Sequence, residues 1–131
     1  MKSRFISLIG LCLVGHNLVD QSNSKTLYFR SNSYKIEAKY FTELNEIGSK
    51  WASDTSHMFK VFAYADTIGS KAYNEKLSEQ RGDAVFQYLT KKCKIKASKI
   101  YVEWFGEGED GAYETHFANA HIRERSVDIL Y

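Results

Sequence analysis

Thr26-Leu27-Tyr28-Phe29-Arg30 is a run of β-formers closed by Ser31-Asn32-Ser33, a cluster suited to a turn and a helix cap, and it predicts a first strand. Downstream, Ile36, Tyr40, Phe41, Leu44, Ile47 and Trp51 recur at steps of three to five. That spacing places them on one face of a helix over residues 34–52, with Gly48 inside it. A polar break at residues 53–57 leads into a nearly continuous apolar run over residues 58–65, the pattern of a buried central strand. Asp66-Thr67-Ile68-Gly69-Ser70 ends the run. A second helix follows, with Tyr73, Leu77, Ala84, Val85, Tyr88 and Leu89 expected on its core face and Lys91-Lys92 complementing the negative pole of its dipole. Residues 100–105 predict a third strand, 106–111 a glycine and acid loop, 113–124 a stretch able to hold a third helix, and 126–131 a last strand. The order β-α-β-α-β-(α)-β makes the fold class α/β. A helix of about five turns between the second and third strands requires them to lie parallel with a right-handed crossover, so that helices cover the sheet in an α/β sandwich.

The N-terminus follows a different pattern. Lys2 and Arg4 precede an uncharged apolar run over residues 5–14, and a polar stretch follows over residues 16–24. This is the three-part layout of a secretory signal peptide, and the run is too short for the roughly 20 residues that a membrane-spanning helix needs. The chain thus divides into a signal peptide, 1–24, and a single domain, 25–131, expected in the periplasm without a transmembrane span. Ser22-Asn23-Ser24 is the best small-x-small match for cleavage, and the long polar region behind the apolar run leaves the cut position open. Leu11 fills the place before Cys12 where lipid attachment wants a small residue, which argues against a lipoprotein. The competing reading is a buried first strand or helix of an unexported cytosolic domain.

Composition narrows the function classes. Residues 25–131 hold no internal repeat and no low-complexity or linker tract. The net charge, 18 − 16 = +2, is small and interleaved, unlike the clustered basic face of a nucleic-acid binder. Removal of the signal segment leaves Cys93 without Cys12 as a disulfide partner, and its neighbours Lys92 and Lys94 suggest an exposed spare thiol. His57, His116 and His121 lack metal-ligand spacing, and the acids Glu107, Glu109 and Asp110 read as a solvated loop, so no metal or cofactor is expected. No supported nucleophile and base pair is visible, which disfavours an enzyme. Tyr40, Tyr73 and Tyr88 fall on core-facing helical positions, which makes most tyrosines structural.

Residues 64–81, YADTIGSKAYNEKLSEQR, strongly resemble the motif TD-x-x-GS-x-x-YN-x-x-LS-x-x-R of the OmpA-like peptidoglycan-binding domains. Residues 29–36 are similar to that family's opening strand and serine-containing turn. Phe105-Gly106-Glu107 matches its GxGE loop, and residues 123–129 resemble its closing N-R-R-V-x-I strand. The resemblance implies a two-layer sandwich with a mixed sheet, in a bacterial envelope protein that binds peptidoglycan noncovalently through the diaminopimelate of its peptide stem. Departures are Ala65 for the threonine before the aspartate, Trp104 for the first glycine of the loop region, Asp110 where proline is common and Glu124 for the closing asparagine.

The chemistry is consistent with that ligand. A diaminopimelate side chain ends in an ammonium and a carboxylate on one carbon, so its receptor needs an acceptor beside a fork-shaped donor. Asp66, just past the end of a buried strand, and Arg81, on the helix that follows, supply these, and an arginine fork suits a carboxylate better than a lysine does. The resemblance carries the family's binding aspartate, arginine and helix asparagine onto Asp66, Arg81 and Asn74. Asn74, Ser78 and Arg81 share one helical face, expected to differ from the face of Leu77, Ala84 and Tyr88 and to open into a solvated groove. Ser78, Trp104 and Arg125 are candidates for its rim. Taken singly, Asp66 is also a turn residue and Arg81 a surface charge or a partner of Glu107. The leading reading is a wall anchor with peptidoglycan and other envelope proteins as partners. The alternative is a protein-protein module of an envelope or secretion assembly with a vestigial wall site.

Overall fold

The computed structural model describes residues 23–107 and 125–131. Strands β1 (Ser24–Tyr28), β2 (Phe59–Ala63), β3 (Ile100–Trp104) and β4 (Ser126–Leu130) form one sheet in the order β1-β4-β2-β3. β2 and β3 run parallel, as a helical crossover between them demands, and β4 lies antiparallel to both β1 and β2. Because β4 enters between β1 and β2, its first residues meet the last residues of both. Ser126 is paired with Tyr28 and accepts a hydrogen bond from the Tyr64 amide at 2.8 Å. One end of the sheet therefore gathers Phe29, residues 64–66 and Arg125.

Helices α1 (Phe41–Trp51) and α2 (Lys71–Lys91) supply the layer that closes the main core. Leu27, Val61, Ala63, Val127 and Ile129 of the sheet pack with Leu44 and Ile47 of α1 and with Val85 and Leu89 of α2. Burial of each of these Leu, Val and Ile side chains contributes roughly 1.5–3 kcal/mol, which anchors both helices to the sheet. Phe62 and Tyr64, whose side chains alternate to the other side of β2, form a smaller cluster with Phe105 and Leu130. The mixed α/β sandwich agrees with the expected fold class.

Several local expectations change. The first strand starts two residues earlier than the β-former run, and the first helix begins at Phe41 after a 3-10 turn over Ala38–Tyr40, not at residue 34. The connection before it is held open because the carbonyls of Arg30 and Ser33 are hydrogen-bonded by the Arg81 guanidinium and cannot enter a helical ladder. Tyr73 lies on the solvent side of α2, 43% exposed, and is not a core residue. Cys93 is not an exposed thiol: it is buried, and its Sγ donates to the Leu44 carbonyl at 3.2 Å. Gly48 makes room for it, since a Cβ there would stand 2.6 Å from Cys93 Cβ. The signal segment up to residue 22, the expected third helix, and Cys12, Glu109, Asp110, His116, His121 and Glu124 lie outside the described residues. Among the described residues, no helix is long and apolar enough to cross a membrane and no cluster of three His, Cys, Asp or Glu side chains could hold a metal ion.

Candidate ligand-binding site

The site is built at the C-terminal end of β2. Asp66 Oδ1 accepts from the Ile68 amide at 3.3 Å, an Asx turn that swings the chain away from the sheet, and Gly69 follows at φ +100°, a conformation that favours glycine. Ser70 then caps α2, its hydroxyl accepting from the Tyr73 amide at 3.2 Å. Asp66 is thereby fixed between a strand end and a helix start, with its side chain only 16% exposed. Its other oxygen, Oδ2, accepts from Arg125 Nη1 at 3.2 Å, and Arg125 Nε donates to the Phe29 carbonyl at 3.2 Å. Arg125, a rim candidate from sequence, is thus the direct partner of Asp66.

Arg81 differs from expectation. It has no solvent exposure and does not open into a solvated groove. Nε donates to Ser33 O at 2.8 Å, Nη1 to Tyr64 O at 3.1 Å and Nη2 to Arg30 O at 3.2 Å, while the guanidinium carbon sits 5.4 Å from the centre of the Phe29 ring. Burial pulls its pKa down to about 10, partly offset by the Asp66 carboxylate, which places that carboxylate within electrostatic reach. Arg81 therefore pins the β1–α1 connection to the end of β2. It is neither a surface charge nor a partner of Glu107.

Asn74 and Ser78 are buried on the same side of α2. Asn74 Nδ2 donates to Glu107 Oε1 at 2.8 Å, tying α2 to the loop after β3. Its Oδ1 is buried with no hydrogen-bond partner among the described residues, and it lies 3.8 Å from where a Cβ on Gly69 would stand. A buried acceptor left unpaired costs about 1–3 kcal/mol, so it marks a position for a donor. Ser78, the second rim candidate, is internal: its hydroxyl donates to Glu75 O at 2.8 Å and accepts from the Gly106 amide at 2.9 Å. Gly106, at φ +59°, approaches α2 so closely that a Cβ would meet Glu75 Cα at 3.2 Å, which accounts for glycine in the loop. Trp104, the third rim candidate, turns to the outer flank of α2 and lines a groove of about 330 Å³ with Lys76, Gln80 and Asp83.

The polar trio shares a face with Leu77 and Val85, all of them buried, so α2 has one inward face that is polar toward its N-terminal end and apolar toward its C-terminal end. The separate face expected for Asn74, Ser78 and Arg81 is not observed. At the sheet end the structure brings together Asp66, Arg125 and Arg81, a carboxylate acceptor among guanidinium donors.

Comparison with known proteins places this arrangement in context. The OmpA family model matches residues 28–125, well over half of the chain. Outer membrane protein 41 of Porphyromonas gingivalis is 35% identical over 83 residues, which are 63% of this chain and 21% of that protein. The peptidoglycan-associated lipoprotein of Pasteurella multocida is 28% identical over 118 residues, 89% of this chain and 77% of that protein. The chain thus spans about a fifth of the Porphyromonas protein but most of the lipoprotein. Among solved structures, the peptidoglycan-associated lipoprotein of Burkholderia pseudomallei shares the fold with a TM-score of 0.67 at 20% identity, covering 82% of this chain and 89% of its own. The cell wall anchor of the type VI secretion system of Pseudomonas aeruginosa has a TM-score of 0.57 at 20% identity, covering 90% of this chain and 92% of its own. With the motif of residues 64–81 seated on the strand end and helix that the family model spans, the chain belongs to the OmpA family.

Proposed function

We propose that this domain binds peptidoglycan noncovalently through the diaminopimelate of the peptide stem and so anchors an envelope component to the cell wall, in the periplasm or at the outer membrane. The observation that carries the reading is the pairing of the Asp66 carboxylate with a guanidinium at 3.2 Å, and the buried Asn74 Oδ1, near Gly69 of the loop that Asp66 opens, has no partner among the described residues. An amino acid zwitterion offers the complement of each: its ammonium suits Asp66 and Asn74 Oδ1, and its carboxylate suits an arginine fork. Support also comes from relatives that are by name outer membrane proteins and peptidoglycan-associated lipoproteins, and from a fold neighbour that is by name a cell wall anchor.

Two or three charge-assisted contacts of about 1.5–3 kcal/mol each, less ordering costs, give weak single-site binding, which a repeating polymer compensates by high local ligand concentration. The test is co-sedimentation of the full-length chain with isolated sacculi. Diaminopimelate-type walls should retain it, free diaminopimelate should compete, and Asp66→Asn should be left in the supernatant. Lysine-type walls, which present the ammonium without the second carboxylate, should retain it poorly. Wild-type protein that ignores diaminopimelate-type sacculi would overturn the reading and favour a protein-protein interaction module.

A further inference from the structure

The end of the sheet opposite Asp66, where β2 and β3 begin and α2 ends, concentrates positive charge. Residues 84–102 contain no Asp or Glu but five lysines, Lys91, Lys92, Lys94, Lys96 and Lys99. Four are exposed and Lys99 is partly so, and none of the five ammonium groups makes an ion pair among the described residues. Their outward direction follows from the alternation: Cys93 and Ile95 are buried in the core, so the lysines between and around them face solvent. Asp54, the acid of the neighbouring loop between α1 and β2, is held within that loop by Ser56 and His57. Met58, 50% exposed, adds an apolar tip beside Lys99, since Phe59 and Ile100 are paired in register.

Lys91 and Lys92 also complement the negative pole of α2, but Lys94 has no such account. It stands at φ +61° in the left-handed turn that ends the helix, where the Ile95 amide donates to the Leu89 carbonyl at 3.0 Å. Glycine is the residue that takes this conformation without strain. The chain keeps a cation where the backbone favours glycine, which points to a use for the charge outside the fold. All five cations are lysines, spread over a helix end, a turn and the 3-10 segment Ala97–Lys99. Compact ammonium groups without an arginine fork suit a diffuse negative surface better than a single carboxylate.

We infer that this end of the domain docks on an anionic phospholipid surface, with the lysines over the headgroups and Met58 entering the interface. Five-residue strands rising about 3.3 Å per residue put roughly 17 Å between that end and Asp66. The Asp66 end therefore stays open while the opposite end rests on a membrane. Docking of this kind stands apart from the wall reading, and either can fail without the other.

The test is co-sedimentation of the full-length chain with vesicles of phosphatidylglycerol and phosphatidylcholine in equal parts, against vesicles of phosphatidylcholine alone. The apolar N-terminal run is present in every variant, and its own contribution is read on the vesicles without net charge. Wild type should favour the anionic vesicles, and less so as salt rises. The triple variant Lys91→Gln, Lys92→Gln, Lys94→Gln should weaken that binding by at least about tenfold, given about fivefold for each lysine near a charged surface. Its affinity for phosphatidylcholine should not change. Lys94→Gly alone should weaken anionic binding about fivefold while melting no lower than wild type, since glycine relieves the turn. Equal binding of wild type to both vesicle types, or a triple variant that binds like wild type, overturns the inference. Displacement by inorganic phosphate at matched ionic strength also overturns it, because the lysines would then hold single anions. Retention on polyaspartate without preference for the anionic vesicles overturns it in favour of an acidic protein partner.

Discussion

Asp66 and Arg125 stand 59 positions apart in sequence, yet their side chains meet at 3.2 Å because β4 is inserted beside β2 and starts where β2 ends. The pair is partly exposed, with side-chain accessibilities of 16% and 36%. An ion pair in that setting contributes no more than about 1 kcal/mol. Asp66→Asn is therefore expected to keep its urea unfolding free energy within about 1 kcal/mol of wild type while losing sacculus binding. A loss of several kcal/mol in urea titration would mean that the pair fastens β4 to β2 and that the binding defect is secondary.

Arg81 should behave in the opposite way. Its removal leaves the carbonyls of Arg30, Ser33 and Tyr64 without their guanidinium donor and opens a hole beside Phe29. With about 1–3 kcal/mol for the buried Tyr64 carbonyl left unmatched, and the further cost of the hole beside Phe29, Arg81→Ala is expected to cost about 3 kcal/mol or more. Arg81→Lys should recover little, because one ammonium cannot span three carbonyls arranged around a planar fork. Chemical denaturation of both variants checks this, and a near-native midpoint for Arg81→Ala would show that water replaces the lost donors. Loss of wall binding in an Arg81 variant must be weighed against the fraction folded.

The order of strands and helices was legible because each element carries its own periodicity, and Asp66 was legible because a carboxylate ends an apolar run. The inward turn of Arg81 was not. A helical wheel groups Asn74, Ser78 and Arg81 but does not say whether a polar stripe faces water or main-chain carbonyls, and those carbonyls belong to the remote β1–α1 connection. Cys93 was misread for a related reason: flanking lysines argue for exposure, while the space that admits the thiol is created by Gly48 on another helix. The Asp66–Arg125 contact depends on strand order, which no local pattern encodes.

Asp128 gives a pH-dependent prediction. It is 1% exposed in the middle of β4, where Thr26 Oγ1 donates to it at 2.5 Å. Burial raises its pKa from 3.8 to about 6, against the lowering effect of the Thr26 hydrogen bond. A carboxyl whose pKa is higher folded than unfolded binds its proton more tightly in the native state. Its contribution is thus most favourable below pH 3.8 and is lost as pH rises through about 6. The difference in unfolding free energy between Asp128→Asn and wild type should shift in the variant's favour by about 2–3 kcal/mol between pH 4 and pH 7. A difference independent of pH would mean that Asp128 titrates alike in both states.

Cys93 should be inert in the native protein. Burial pushes its thiol above the ordinary range, which depletes the reactive thiolate, and 6% exposure leaves little access to reagents. Iodoacetamide should leave the Cys93 peptide unmodified in the folded chain, with labelling seen by mass spectrometry only as urea unfolds it. Cys93→Ser, which can still donate to the Leu44 carbonyl, should cost about 1 kcal/mol. Gly48→Ala should cost more, about 1–3 kcal/mol, because its new Cβ would stand 2.9 Å from the Cys93 Cα, a backbone atom that no rotamer change can move away. Rapid alkylation of the native chain, or a Gly48→Ala variant as stable as wild type, would mean that α1 does not pack against the end of α2 as closely as these distances require.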